Sequence, residues 1–91
     1  MKKLPSICPA CQSQLNIKKL SCQRCDTEIE GLFELPPLAR LSVEDQELIL
    51  QFVKCSGSLK EMARLLKLSY PTVRNQLDQI IEQVKAVENQ E

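Results

Sequence analysis

The sequence predicts an α+β chain, mostly α, in which a small cysteine-pinned β ribbon precedes three helices, the last of them long. Three observations carry that prediction. Four of the five cysteines fall as two C-x-x-C pairs within residues 8–25. Two prolines, Pro36 and Pro37, close that section. From residue 42 onward the apolar residues recur at helical spacing, each run opening on a serine. The expected organisation is a ribbon over residues 1–34, a proline-containing linker over 35–41, and a helical domain over 42–91.

Composition narrows the function. Ninety-one residues allow one ordinary domain or two very small ones. Twelve basic side chains balance twelve acidic ones, so no global field draws the chain to nucleic acid. There is no histidine and one tyrosine, which removes most familiar catalytic constellations. No candidate nucleophile has a base beside it, so the chain is expected not to be an enzyme and to have no small-molecule substrate. No window approaches the ~20 apolar residues of a membrane span, and the short basic start Met1-Lys2-Lys3 is not followed by a signal-peptide core. The expected setting is cytoplasmic and reducing.

Residues 8–25 read CPACQSQLNIKKLSCQRC. Each C-x-x-C can wrap a tight knuckle that aims two sulfurs at one ion, and the ten-residue spacer is long enough for a strand and its return. Four thiolates in a tetrahedron suit one structural Zn²⁺, at Zn–S distances of about 2.3 Å. Cys8, Cys11, Cys22 and Cys25 are therefore the expected ligands, in an arrangement that resembles a zinc ribbon. Disulfides are disfavoured in a reducing compartment. A redox C-x-x-C would head a helix in a βαβ unit, and none is in view. Iron fits four cysteines too, but its usual aromatic nest is missing. Gln12 and Asp26 occupy the place after each second cysteine where such knuckles often carry glycine. Leu15, Ile17 and Leu20 suggest a first strand; Ile29, Gly31 and Phe33, alternating with Glu28 and Glu30, suggest a second. So small a segment draws most of its folding free energy from the metal.

Leu38 and Leu41 are expected to pack the linker onto a neighbour. Helices are expected at about 43–55, 59–67 and 71–88. Ser42 caps the first, with Val43, Ile49, Leu50, Phe52 and Val53 as its buried side and Gly57 as a left-handed stop. Cys55 reads as a small core residue. Ser58 and Glu61 form a capping box for the second helix, whose apolar stripe is Leu59, Met62, Ala63 and Leu66. Ser69 and Pro71 open the third, with Val73, Leu77, Ile80 and Ile81 in helical register. Ala63 and Val73, ten residues apart, give the small-then-β-branched pattern of a helix-turn-helix. Lys67 stands where a glycine is usual, which suits a turn that avoids the left-handed region.

The surface expected to meet DNA comprises Lys60, Arg64 and Lys67 at i, i+4 and i+7, facing the phosphates without an interspersed acid. Ser69, Tyr70, Thr72, Arg74 and Asn75 stand at the head of the recognition helix, where Arg reads guanine and Asn adenine. Val84 and Val87 carry the stripe of Leu77, Ile80 and Ile81 beyond any foreseen neighbour, so these five residues are the expected interface of a homodimer.

The knuckles, then GLFELPPLARLS, FVKCSGSLKEM and LSYPTVRNQLDQII, resemble a small bacterial family catalogued as domain of unknown function 2089. The resemblance covers nearly the whole chain and implies a zinc ribbon followed by a helix-turn-helix, with a presumed role in transcription. At fold level the helices also resemble the DNA-reading regions of sigma factors and response regulators. The reading is a sequence-specific transcriptional regulator that binds DNA. The alternative is a non-enzymatic adaptor docking on the transcription machinery or another protein.

Overall fold

The computed structural model describes residues 3–89 and divides the chain after Arg40 into two units. The first holds two antiparallel strands, β1 (Ile17–Ser21) and β2 (Glu28–Phe33). Leu20 lies opposite Ile29 and Ile17 opposite Phe33, with a register shift between Ile17 and Lys19. The opposite face carries charge: Lys19 Nζ lies 2.5 Å from Glu28 Oε2 and 3.8 Å from Glu30 Oε1. On the apolar face the Phe33 ring lies over Gly31, so close that a Cβ at Gly31 would stand 2.8 Å from Cζ. The glycine is what lets the ring fold back along its own strand. Every residue of β2 is exposed, so two strands alone bury almost nothing.

A 3₁₀ turn over Pro37–Arg40 follows. Arg40 Nε donates to the Leu35 carbonyl at 2.9 Å, and Leu35 is buried at 2% exposure. Leu41 is buried as expected, but Leu38 is exposed, and Leu35 takes the inward place expected of it. A four-residue 3₁₀ turn has three residues per turn, so an apolar residue in its middle need not share a face with either flank.

The second unit is three helices: α1 (Val43–Lys54), α2 (Leu59–Leu66) and α3 (Tyr70–Glu88). All three serine caps form. The Ser42, Ser58 and Ser69 hydroxyls accept from the backbone N–H of Asp45, Glu61 and Thr72 at 3.2, 3.1 and 3.3 Å. Each satisfies one donor that a helix start leaves orphaned. α1 stops at a Schellman turn in which Gly57 N–H reaches the Phe52 carbonyl at 2.9 Å. The left-handed residue of that turn is Ser56, at φ 54°, and Gly57 follows at φ 79°. Cys55 is half-buried.

Leu41, Ile80 and Val87 form one core cluster, against which Leu48, Ile49 and Val84 pack. This corrects two expectations. On α1, Leu50 and Val53 are exposed, and Leu48 takes the inward place. Apolar residues at 48, 49, 50, 52 and 53 wrap more than half of the helix, so periodicity alone does not select the buried third. On α3, Ile80, Val84 and Val87 are not left over for a second chain: Leu41 and α1 cover them. Leu77 is half-buried, and of the five residues expected at a dimer seam only Ile81 is exposed. Helix length suggested an overhang, but Leu41, Leu48 and Ile49 pack against its second half.

α2 packs against α3, and Met62 and Val73 are the most deeply buried side chains of the pair, at 1% and 0% exposure. The turn between them is a second Schellman motif. Leu68 N–H bonds the Ala63 carbonyl at 3.0 Å, and Lys67 is left-handed at φ 58°. The lysine therefore does not avoid the region usually reserved for glycine; it occupies it. Among the described residues no helix is long and apolar enough to cross a membrane.

Two stability outcomes follow from this packing. Val87→Ala should destabilise the helical unit by about 1–2 kcal/mol through lost burial and a residual cavity, read by denaturant unfolding. An unchanged midpoint with reduced self-association would instead restore the seam. Lys67→Gly relieves a left-handed lysine, and after the entropy of a glycine in the unfolded chain it should stabilise by about 0.5–1 kcal/mol.

Candidate metal centre and nucleic-acid interface

The ribbon repeats one device twice. The first knuckle, Cys8 to Ser13, is bracketed by the isolated bridge between Ile7 and Gln14; the second, Cys22 to Thr27, by the Ser21–Glu28 pair. In each, the first cysteine's N–H bonds the carbonyl five residues on, Cys8 to Ser13 at 2.9 Å and Cys22 to Thr27 at 2.8 Å. In each, the N–H four residues on returns to that cysteine's carbonyl, from Gln12 at 2.8 Å and from Asp26 at 2.9 Å. Gln12 and Asp26 are left-handed, at φ 64° and 61°, so they perform the reversal for which glycine is the usual choice. Gln14 Nε2 ties the first knuckle down by donating to the Ser6 and Leu15 carbonyls at 3.0 and 3.2 Å.

That reversal brings the residue two beyond each second cysteine back against its sulfur. Cys11 Sγ is 3.3 Å from Ser13 Oγ, and Cys25 Sγ is 3.0 Å from Thr27 Oγ1. Those hydroxyl bonds are the largest cause holding both thiols below their ordinary pKa; the Ser13 and Thr27 backbone bonds and the paired cysteine add to it. Ser13 and Thr27 were not among the expected site residues. The repeat C-x-x-C-x-[S/T] was there to be read, since 8–13 and 22–27 share it.

Cys8 lies with Cys11, and Cys22 with Cys25, as two separate pairs. Among the described residues no three ligating side chains stand in one cluster. The donor set suits a thiophilic divalent ion, with four thiols on two matched knuckles, two of them already held toward the thiolate form. A four-sulfur shell would draw on both knuckles, so ion binding and ordering of the ribbon would be coupled. Cys55 is a free thiol in the other unit. With the ribbon so exposed, chelation of zinc-loaded protein should abolish hydrogen-exchange protection in β1 and β2 while α1 to α3 stay protected. Persistent strand protection after chelation would contradict this dependence.

The candidate DNA surface lies on α2, the turn and the head of α3. Lys60, Arg64, Lys67, Ser69, Tyr70, Thr72, Arg74 and Asn75 are all exposed, while Val73 among them is wholly buried. Two of the cations are engaged. Arg64 pairs with Glu61, which lowers the glutamate's pKa and raises the arginine's. The expectation of a stripe without an interspersed acid is corrected accordingly, because i, i+3 places that acid beside Arg64. Arg74 Nε lies 3.5 Å from Asp78 Oδ1, one turn on. Lys60 and Lys67 form no ion pair among the described residues. Ser69 is committed locally, its hydroxyl accepting from Thr72 N–H and lying 2.7 Å from Thr72 Oγ1. Exposed pairs of this kind are weak and salt-screened, so phosphate can compete for both arginines.

Comparison with known proteins agrees with the geometry of both units. Neither the curated proteins nor the solved structures hold a significant match to the chain. A family model described as the DUF2089 zinc ribbon matches residues 8–39, the knuckles and both strands. A second, described as domain of unknown function (DUF2089)-HTH, matches residues 41–87, the three helices. The chain therefore belongs to the DUF2089 family, a zinc ribbon followed by a helix-turn-helix domain.

Proposed function

We propose that the chain is a cytoplasmic, non-enzymatic transcriptional regulator that binds DNA sequence-specifically, its ribbon held by one structural zinc ion. The observation that supports this best is the head of α3. Val73 is fully buried, which locks the helix, while Thr72, Arg74 and Asn75 around it stay exposed behind a serine cap. In that role α3 enters the major groove. Arg74 reads guanine and Asn75 adenine; Lys60, Arg64 and Lys67 meet the phosphates, with Tyr70 and Thr72 beside them. Zinc supplies the ribbon's cohesion, and Cys8, Cys11, Cys22 and Cys25 hold it.

Residues 42–91 carry six basic and eight acidic side chains, so a single copy gains little from phosphate attraction. The proposal therefore includes a homodimer binding two half-sites, through a surface other than Ile80, Val84 and Val87, which the domain's own core occupies.

One observation favours the adaptor reading. Glu44, Glu47, Leu48, Leu50, Gln51 and Leu66 line an open groove of about 490 Å³ on the helical unit, apolar with two acids. It suits a basic, apolar segment of a protein of the transcription machinery. Selection from random-sequence DNA separates the two. The wild-type chain should enrich a consensus, and Arg74→Ala with Asn75→Ala should lose that consensus while keeping salt-sensitive binding. Lys60→Ala should weaken binding to all sequences alike and lower the salt slope by about 1. Failure of the wild type to enrich any consensus would sink the regulator and leave the adaptor.

A further inference from the structure

We propose that Ser13 and Thr27 are positioning residues of the metal centre, their hydroxyls donating to the sulfurs of Cys11 and Cys25 once an ion is bound. The inference rests on the zinc-ribbon reading and adds to it a division of labour among the four sulfurs. The carrying observation is that the same contact is built twice. Two knuckles with different sequences, CPACQS and CQRCDT, each place a hydroxyl within 3.3 Å of the second cysteine's sulfur and of no other. Both rely on a left-handed residue between the partners, Gln12 and Asp26, which turns the side chains at i and i+2 to the same side. Among the described residues no hydroxyl stands against Cys8 or Cys22.

Sulfur chemistry sets the direction of the bond. A free thiol carries its own hydrogen and donates weakly to an oxygen. A metal-bound thiolate has lost that proton and only accepts, while a serine or threonine hydroxyl both donates and accepts and rotates freely. Ion binding therefore fixes the contact in one direction: the thiol proton leaves to solvent as the sulfur takes the ion, and the O–H turns onto the sulfur. A hydrogen bond to an ionised acceptor is stronger than the neutral one it replaces, so the bound state gains more than the free state. The two hydroxyls thus favour ion retention. They also withdraw electron density from Cys11 and Cys25, leaving Cys8 and Cys22 the more nucleophilic pair.

The test uses the full, zinc-loaded chain with Ser13→Ala, Thr27→Val and the conservative Ser13→Thr and Thr27→Ser. Chelator competition should show zinc affinity falling about tenfold for each hydroxyl removed, in the range for lost partners of metal ligands, and restored in the conservative variants. Iodoacetamide provides the readout that a merely structural role would not move. In that reaction the thiolate sulfur forms a bond to the methylene carbon as the carbon–iodine bond breaks and iodide leaves. In the wild type Cys8 and Cys22 should be alkylated first. In Ser13→Ala, Cys11 should rise to the rate of Cys8 with Cys25 unchanged, and Thr27→Val should give the mirror result. Unaltered affinity, or all four cysteines rising together, would overturn the proposal, the second because it marks general loosening of the ribbon. A wild-type chain that binds no zinc would sink this inference and the zinc reading together; a zinc-binding wild type with indifferent variants sinks this one alone.

Discussion

Burial of Met62 and Val73 where α2 meets α3 is the constraint on which the rest of the helical unit depends. Two side chains at 1% and 0% exposure leave the helices no room to slide. Their crossing in turn needs an abrupt end to α2, and Lys67 supplies it in a left-handed conformation unfavourable for a lysine. Tertiary burial outweighs that local cost. The outcome is a second helix whose head stands clear of the core with arginine, asparagine and threonine outward.

α3 does two jobs along its 19 residues. Its first turns carry the candidate reading residues, and its second half, through Ile80, Val84 and Val87, packs with Leu41, Leu48 and Ile49. The length that suggested an overhang is what lets one helix serve both a surface and a core. The ribbon is the opposite case. Its strands are exposed throughout β2, its largest ring lies on its own glycine, and its order is concentrated in two hydrogen-bonded knuckles. A unit built this way needs ligation where the helical unit needs only packing.

Much of this was readable from residues alone, and the reasons are local ones. Serine caps at 42, 58 and 69 announced three helix starts because a cap is a bond between near neighbours in sequence. The strands appeared through alternation at Ile29, Gly31 and Phe33, and the metal ligands through the spacing of two cysteine pairs. What escaped depends on distant neighbours or on conformations that propensity disfavours. Periodicity groups Leu50 and Val53 with Ile49 but does not say which part of a broad apolar face is covered, so it does not single out Leu48. The same ambiguity made a dimer seam of Ile80, Val84 and Val87. Glycine rules hid the left-handed Gln12, Asp26, Ser56 and Lys67, and with the first two went the reason that Ser13 and Thr27 reach the sulfurs. The engagement of Arg64 with Glu61 follows from i, i+3 spacing, which the i, i+4, i+7 stripe of cations conceals.

The central claim is that the head of α3 reads DNA, and the most direct test is to offer the zinc-loaded chain a pool of fragments from its own genome at low and moderate salt. The account predicts enrichment of a few fragments sharing a short site, with affinity falling steeply as salt rises, because phosphate contacts position what base contacts specify. Equal retention of all fragments, or none, would contradict it and leave the acid-lined groove on the helical unit as the place to look for a protein partner.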